Sequence, residues 1–352
     1  MGVTSFPHHV CLSVSIEDMS SVGEARRTAC AMAKEQGLDE TQTGNVAIAV
    51  TEACSNIVQH ATHGELLLRP WSGSCGEGIE FLALDKGPGM ANVATCLRDG
   101  YSTGGSRGVG LGAIARLSYD LDVFSAPDKG TVLRMVIGQQ SQGKQSDNAL
   151  DWGAVCVAKS GEAVCGDAWN IRPYQDINTV LVLDGLGHGL PAYEASMEAV
   201  RHFVALGEVK PAETLAFLDK NMRITRGAVA AIATIDLRDN KLCFAGVGNI
   251  SASLLSASTR IAGLVSHNGT LGHSAPTFKE HFYPWPSQGV LILHSDGLKS
   301  SWDLSSYPGL SQKKPSVIAG VLYRDFANRR DDAVVMVGKA HQSPICWGEI
   351  NP

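Results

Sequence analysis

Residues 139–150, QQSQGKQSDNAL, carry no apolar period, and they cut the chain into two stretches that must each bury a core. Dividing 352 residues by about 150 per domain also gives roughly two domains. The expected division is a domain over 1–138, a linker over 139–150, a domain over 151–340 and a tail over 341–352. A flexible coil of 12 residues spans roughly 20 Å. Such a linker tethers the halves without fixing their orientation. The halves are therefore expected to fold and work separately when cut near Gly143.

Composition removes several classes. Apolar residues make up 44% and charged residues 18%, against a usual ~25% charged. That argues against a disordered chain or a coiled coil. A net charge of −6 offers no electrostatic footprint for nucleic acid. No Lys/Arg run marks a membrane patch, and no segment approaches the ~18 unbroken apolar residues of a membrane span. The first residues lack the basic and apolar regions of a secretory leader. The nine cysteines are odd in number, scattered and free of any CxxC, which reads as reduced thiols in a cytoplasmic protein.

In the first half, alternation predicts a strand over His9–Ile16, and helical periods cover about Ser21–Gln36 and Glu40–Ala61. Strands are expected near Glu65–Trp71 and Ile79–Asp85, then a Gly-rich loop to Gly108 and a helix over Val109–Leu117. Two strands close this half, Asp120–Ser125 and Thr131–Ile137, giving an α+β sandwich.

Glu52, Asn56 and His60 fall at i, i+4 and i+8, on one helix face. A carboxylate beside an amide can orient a water and hold a hard cation, although an exposed polar stripe would look the same. Asp85-Lys86-Gly87-Pro88-Gly89 follows an apolar strand. A strand-end aspartate can accept from an exocyclic amine such as that of adenine, and the glycines permit close backbone approach. A simple turn fits the same letters. Gly104-Gly105-Ser106-Arg107-Gly108-Val109-Gly110-Leu111-Gly112 opens a helix, where bare amides attract phosphate. No GK[ST] follows, so this is not a P-loop, and no compact βαβ unit surrounds it.

Taken in order, with Gly130-Thr131 on the final strand, these boxes resemble the GHKL ATPase/kinase superfamily and its Bergerat ATP fold. Residues 10–138 look most like the RsbT/RsbW type of small serine kinase in bacterial partner switching, with Asp99–Gly105 (DGYSTGG) close to the RsbT branch. The resemblance implies ATP and Mg²⁺ as cofactors. It implies Glu52 as the base that activates a substrate serine, and Asn56 as a Mg²⁺ ligand between the phosphates. Asp85 would take the adenine amine, with Gly87 and Gly89 shaping that wall and Thr131 supporting it. Gly105, Gly108, Gly110 and Gly112 would cradle the phosphates under a lid. His60 is implied to be a packing or lid residue, not a phosphoacceptor.

The second half begins with a strand near Ala154–Lys159, and NTVLVLD (Asn178–Asp184) reads as a buried strand. Helices are expected over Ala192–Ala205, Ala212–Met222 and Ser316–Arg324. Strands are expected over Val229–Asp236, Lys241–Val247, Ser251–Leu255, Val290–Ser295 and Ala333–Val337. Acidic groups stand beside the apolar strands: Asp184-Gly185-Leu186-Gly187-His188-Gly189, Ser295-Asp296-Gly297, Asp331-Asp332-Ala333 and, earlier, Gly166-Asp167. Any one Asp-Gly is commonly a turn. Clustered carboxylates repel, and a divalent cation removes the conflict. Oxygen-only ligands suit Mg²⁺ or Mn²⁺. Two such ions can lower the pKa of a shared water for attack on a phosphoester.

These boxes, with the Gly246-Val247-Gly248-Asn249 turn, resemble the metal-dependent PPM serine/threonine phosphatases of the SpoIIE-like branch, over about residues 151–338, with an RsbX-like lack of any sensory insertion. The implied fold is a β-sandwich flanked by helices. The implied ligands of Mn²⁺ or Mg²⁺ are Asp184, the Gly185 carbonyl, Asp296 and Asp331, with Asp167 reaching a metal through water. Asp331 is preferred to Asp332, and His188 is expected to fix its loop. Cys165 stands where Ser is frequent in the family, and Ala333-Val334 where a Thr often follows the acidic pair.

A kinase half and a phosphatase half imply opposed action on one phosphoserine switch. The expected partner is a STAS-domain antagonist or stressosome-like protein, with a sigma factor or downstream phosphatase further along. The alternative is a phosphatase whose ATP-binding module only binds or sequesters a regulatory partner.

Overall fold

The structure is a computed structural model, and it describes residues 9–61, 63–73, 76–97, 110–140, 150–174, 176–273 and 277–340. The first half runs β1 (Leu12–Ile16), α1 (Met19–Glu35), α2 (Glu40–His60), β2 (Gly64–Gly73), β3 (Gly76–Asp85), α3 (Val93–Cys96), α4 (Gly110–Leu117), β4 (Asp120–Ser125) and β5 (Thr131–Gln140). Asp18 and Asp39 cap α1 and α2, each accepting from the backbone N–H three residues on. The five strands form one antiparallel sheet in the order β1-β2-β3-β5-β4. Its strands alternate with period two. Leu66, Leu68, Phe81 and Leu133 face the core under α1, α2 and α4, while Leu67, Leu82, Leu84 and Val132 face the other way.

The second half runs β6 (Leu150–Val157), β7 (Asp167–Tyr174), β8 (Ile177–Gly185), α5 (Leu190–Ala205), α6 (Pro211–Asn221), β9 (Ala228–Asp236), β10 (Lys241–Val247), β11 (Ser251–Ser256), β12 (Thr259–Gly263), β13 (His281–Pro284), β14 (Gly289–His294), α7 (Pro315–Phe326) and β15 (Ala333–Ala340). Two sheets, β13-β10-β9-β8-β7 and β12-β11-β14-β15-β6, pack face to face over a shared apolar core. Helices α5 and α6 cover the first sheet. Helix α7 covers the second.

Helix α7 is buried at every residue from Pro315 to Arg324, as a helix must be when it is apolar all round. Its second neighbour is the free face of the N-terminal sheet. Val317 and Val321 share one core with Leu67, Leu82, Leu84, Phe124 and Val132. The layers therefore run helices, sheet, α7, sheet, sheet, helices. This corrects the expectation of independently oriented halves: both faces of the N-terminal sheet are apolar, so the second needs cover, and α7 supplies it.

Polar contacts cross the same interface. Glu80, in the middle of β3, accepts from Arg69 Nε at 2.6 Å, Arg134 Nε at 2.5 Å and Ser316 Oγ at 2.8 Å. Burial alone would push its carboxyl up, but the two guanidiniums outweigh burial and hold it down at about 2. Lys314 Nζ reaches Asp120 at 2.6 Å, and Lys313 Nζ reaches Asp122 at 3.1 Å.

Sequence periodicity misplaces some boundaries. β1 begins at Leu12 instead of His9, and β5 and β6 take up residues 139, 140 and 150 of the expected linker. Residues 141–149 of that linker lie outside the described residues. Strands β7, β12 and β13 were not expected. β12 and β13 are short edge strands with mostly exposed or half-exposed side chains, so they lack an apolar run. Among the described residues seven cysteines occur, all free, and no helix is long and apolar enough to cross a membrane.

Candidate functional site

Helix α2 buries Val46, Ala49, Val50, Ala53, Cys54 and Ile57. That leaves Glu52 and Asn56 half-buried on the neighbouring face. The start of α4 comes to them. A side chain added at Gly110 would place its Cβ 3.4 Å from Glu52 Oε2 and 3.5 Å from Asn56 Oδ1. With glycine there, the start of α4, where helix amides lack partners within the helix, comes close to the carboxylate and amide with no side chain between them. The last turn of α2 meets the Asp85 loop, where a Cβ at Gly87 would lie 2.9 Å from the His60 carbonyl. His60 itself is exposed, so it is not a packing residue.

Asp85 ends β3 half-buried. Its Oδ1 accepts from Gly87 N at 2.8 Å and Thr131 N at 3.1 Å. Ser125 Oγ braces this wall, lying 3.0 Å from Thr131 Oγ1 and accepting from Met90 N at 2.8 Å. Burial raises the Asp85 pKa, opposed by those two amides and by Arg324. Gly89 (φ +71°) and Gly130 (φ +64°) adopt the left-handed region, and a side chain on either would strike a backbone carbonyl. The structure thus brings Glu52, Asn56, Gly110, Asp85, Gly87, Gly89 and Thr131 to the elements bounding one side of the sheet. Gly112 is buried within α4. Gly105 and Gly108, with the rest of 98–109, lie outside the described residues. The cradle at Gly110 and the two-amide seat of Asp85 fit a nucleotide whose phosphates meet α4 and whose base meets β3.

In the second half, Asp184, one residue before the end of β8, lies directly beside Asp167 of β7. Asp296 follows β14, and Asp331 and Asp332 precede β15. Asp184, Asp296 and Asp331 line one cavity of about 510 Å³, together with His188 and Asn249. Burial pushes the Asp184 carboxyl up to about 7, with Asp296, Asp331 and Asp332 adding repulsion. Burial raises the Asp296 pKa as well, and repulsion from the Asp331 charge adds to it, partly relieved by Asn249 Nδ2 donating at 2.8 Å.

The acids divide by what they already hold. Asp332 is buried and accepts from Lys159 N at 2.8 Å and Gly166 N at 2.9 Å. Asp167 is buried behind Asp184, accepts from Ser295 Oγ at 2.6 Å, and has its pKa raised well above normal, chiefly by burial. Asp184, Asp296 and Asp331 are the ones left facing the cavity. Among the described residues no three acidic, histidine or cysteine side chains are arranged to hold an ion alone. A Mg²⁺ or Mn²⁺ here would complete its shell with water and the Gly185 carbonyl, as these ions commonly do. The donor set, all oxygen and mutually repelling, fits a hard divalent cation.

His188 Nδ1 lies 2.6 Å from Glu162 Oε1, tying the loop after β8 to the turn before β7. Sequence reasoning missed Asn328, whose Nδ2 donates to the Asp296 carbonyl at 3.1 Å, and Arg324. Arg324 had one signal: a cation at the end of a helix with no polar face.

The model of the histidine kinase-like ATPase domain matches residues 17–137, and that of stage II sporulation protein E (SpoIIE) matches residues 178–305. The chain joins a histidine kinase-like ATPase domain to a SpoIIE-type phosphatase domain. The ATPase domain is 28% identical over 112 residues to the serine/threonine-protein kinase RsbT of Bacillus subtilis (strain 168), covering 32% of this chain and 84% of RsbT. The phosphatase domain is 26% identical over 182 residues to the phosphoserine phosphatase RsbX of the same organism, covering 51% of this chain and 90% of RsbX. A chain in a solved structure of the bacterial stressosome shares its fold over 54% of this chain and 98% of that one, at 27% identity and a TM-score of 0.50.

Proposed function

We propose that this chain is a bifunctional partner-switching regulator that phosphorylates and dephosphorylates serine on a STAS-domain antagonist. The observation that carries it is the presence on one chain of two separate carboxylates, Glu52 and Asp184, that no described residue pairs by a hydrogen bond or salt bridge. Glu52 faces the space before α4, and Asp184 faces the acidic cavity. The likeness to RsbT and RsbX supports opposed activities on a common switch.

In the ATPase domain, Asp85 orients the adenine amine, and Gly110 and Gly112 let the α4 backbone approach the phosphates. Asn56 holds Mg²⁺. Glu52 would accept the proton of the substrate serine hydroxyl as that oxygen attacks the γ-phosphorus of ATP and the bond to the bridging oxygen breaks, releasing ADP. In the phosphatase domain, Asp184, the Gly185 carbonyl, Asp296 and Asp331 would hold Mn²⁺ or Mg²⁺, with Asp167 behind them acting through water. When bound, the cation supplies a water acidic enough to attack a phosphoester near neutral pH. Asn249 and Asn328 fix Asp296, and Glu162 fixes His188 at the cavity rim.

Mass spectrometry of a STAS-protein substrate incubated with ATP, Mg²⁺ and Mn²⁺ tests the reading. The intact chain should give steady ATP turnover and partial phosphorylation. Asp184→Asn should drive phosphorylation further, and Glu52→Ala should leave dephosphorylation alone. Activities that map to different serines or different proteins refute the opposed switch. The packing of the ATPase sheet on α7 favours a second reading, in which nucleotide binding serves the phosphatase without phosphoryl transfer. Absence of label transfer from radiolabelled ATP would select it.

A further inference from the structure

The C-terminal end of α7 touches the Asp85 site, and the loop that follows it touches the acidic cavity. Arg324 Nη1 donates to the backbone carbonyl of Asp85 at 2.9 Å, from the side of the sheet opposite α2. The same guanidinium grips both carboxylate oxygens of Asp325, at 2.9 and 2.8 Å. Asp325 also accepts from Tyr307 OH at 2.9 Å and lies 3.9 Å from Lys86 Nζ, beside Asp85 in sequence. Only six residues lie between Arg324 and Asp331. Within them, Lys299 N donates to the Phe326 carbonyl at 3.0 Å and Asn328 N to the Gly297 carbonyl at 2.9 Å. Asn328 Nδ2 holds the Asp296 carbonyl at 3.1 Å, and Asn328 Oδ1 accepts from Arg330 N at 2.8 Å.

The segment also carries a residue of unusual backbone conformation that pairs with the other domain. Arg329 has φ +60°, in the left-handed region that a long side chain rarely adopts. Its Nη1 pairs with Glu65 of β2 at 2.7 Å and with Tyr323 OH at 2.9 Å. Tyr323 OH in turn donates to Glu65 at 3.0 Å. Strain of this kind persists only where surrounding contacts support it, and the contacts of Arg329 include Glu65 of the ATPase sheet.

We infer that residues 324–331 form a strap through which adenine-nucleotide binding at Asp85 tightens the metal site at Asp296 and Asp331. The inference rests on the two-site reading above. Adenine seated against the Asp85 carboxyl immobilises the loop whose carbonyl Arg324 holds. A fixed Arg324 fixes Asp325 and the turn carrying Asn328, which positions Asp296. Coupling between two binding sites is reciprocal, so bound divalent metal must tighten the nucleotide by the same factor.

The test uses the full chain. Mn²⁺ activation of p-nitrophenyl phosphate hydrolysis is followed with ADP, with UDP and without nucleotide. UDP complexes Mn²⁺ as ADP does but lacks adenine's exocyclic amine. Calorimetry measures ADP affinity in parallel. ADP is expected to lower the half-saturating Mn²⁺ concentration roughly fivefold or more, the low end of usual couplings, and UDP to leave it unchanged. Arg324→Met, which keeps the apolar stem and loses the donors, should retain basal hydrolysis and lose the ADP response. Arg324→Lys should restore part of it. If ADP binds by calorimetry but its Mn²⁺ curve overlays that with UDP, the strap is refuted while the two-site reading stands. An ADP response that survives in Arg324→Met refutes it as well. If calorimetry shows no ADP binding, the nucleotide site is wrong and the strap falls with it.

Discussion

Two carboxylates, Glu80 and Asp184, sit in strands of similar apolar character and meet opposite fates. Glu80 is 1% exposed, between two guanidiniums and a serine hydroxyl, and its pKa is held at about 2. Asp184 faces a cavity beside further aspartates, and its pKa is pushed up to about 7. Burial acts against ionisation in both. The neighbours' charge sets the sign: Glu80 is a closed network that joins two domains, and Asp184 is an open one awaiting a cation. The lesson is that a buried acid reads as structural or functional only once its partners are known.

The sharpest break in the comparison is Asp184→Asn. Loss of one metal ligand should reduce Mn²⁺-dependent p-nitrophenyl phosphate hydrolysis by roughly 100-fold or more. The fold should not suffer, because the change removes repulsion. Thermal unfolding without metal should occur at an equal or higher temperature than in the parent chain. Retained hydrolysis, or a lowered unfolding temperature, would put Asp184 in the same class as Glu80.

Glu80→Gln should do the reverse, leaving the acidic cavity intact and destabilising the chain by about 3 kcal/mol at neutral pH, the worth of a shift from 4.5 to about 2. The sign follows from the depressed folded pKa. The stabilisation is complete above the unfolded-state value and drains away as pH falls from about 4.5 towards 2. Denaturant titrations across that range should show a slope in the parent chain that Glu80→Gln lacks. A parallel pH dependence in both would refute the pairing.

Asp85 stands between the two. Burial raises its pKa, yet backbone amides of Gly87 and Thr131 already satisfy one oxygen. Asp85→Asn should weaken ATP binding about tenfold or more, near 1.4 kcal/mol, with little change in stability. Unchanged affinity by calorimetry would remove Asp85 from the nucleotide pocket.

Sequence legibility follows the same division. The strand-end Asp85 and Asp184, the α2 pair Glu52 and Asn56, and helix α7 were all readable, because each depends on neighbours a few residues away. The two sandwiches were likewise legible from period and from family resemblance. What the letters hid lies across the chain. Ser316 meets Glu80 over a separation of 236 residues, and Arg324 meets Asp85 over 239. Contacts so distant leave no local pattern. Asp167 was named beside a metal, but nothing near it in sequence foretold Ser295, its partner 128 residues on. The all-round apolar character of Ser316–Tyr323 was the one overlooked clue, since a helix with no polar face needs a layer on each side.

The smallest expected effect lies at the exposed end of the Glu80 network. Arg134 bridges Glu80 to Asp120, with Nη1 2.6 Å from Asp120 Oδ2, and Lys314 Nζ adds a second cation to Asp120 at 2.6 Å. Geometry alone would rank this last pair with the buried ones. Exposure ranks it lower: the Lys314 side chain is 44% exposed and that of Asp120 23%, so water and salt screen the attraction. Ordering a long lysine side chain also costs conformational entropy. Lys314→Met keeps the stem that lies near the domain interface and removes only the charge. It should cost about 0.5 kcal/mol or less, and less still at high salt. A loss approaching that of Glu80→Gln, insensitive to salt, would mean that the desolvated network extends to Lys314 and that both domains are clamped from the interface core to its rim.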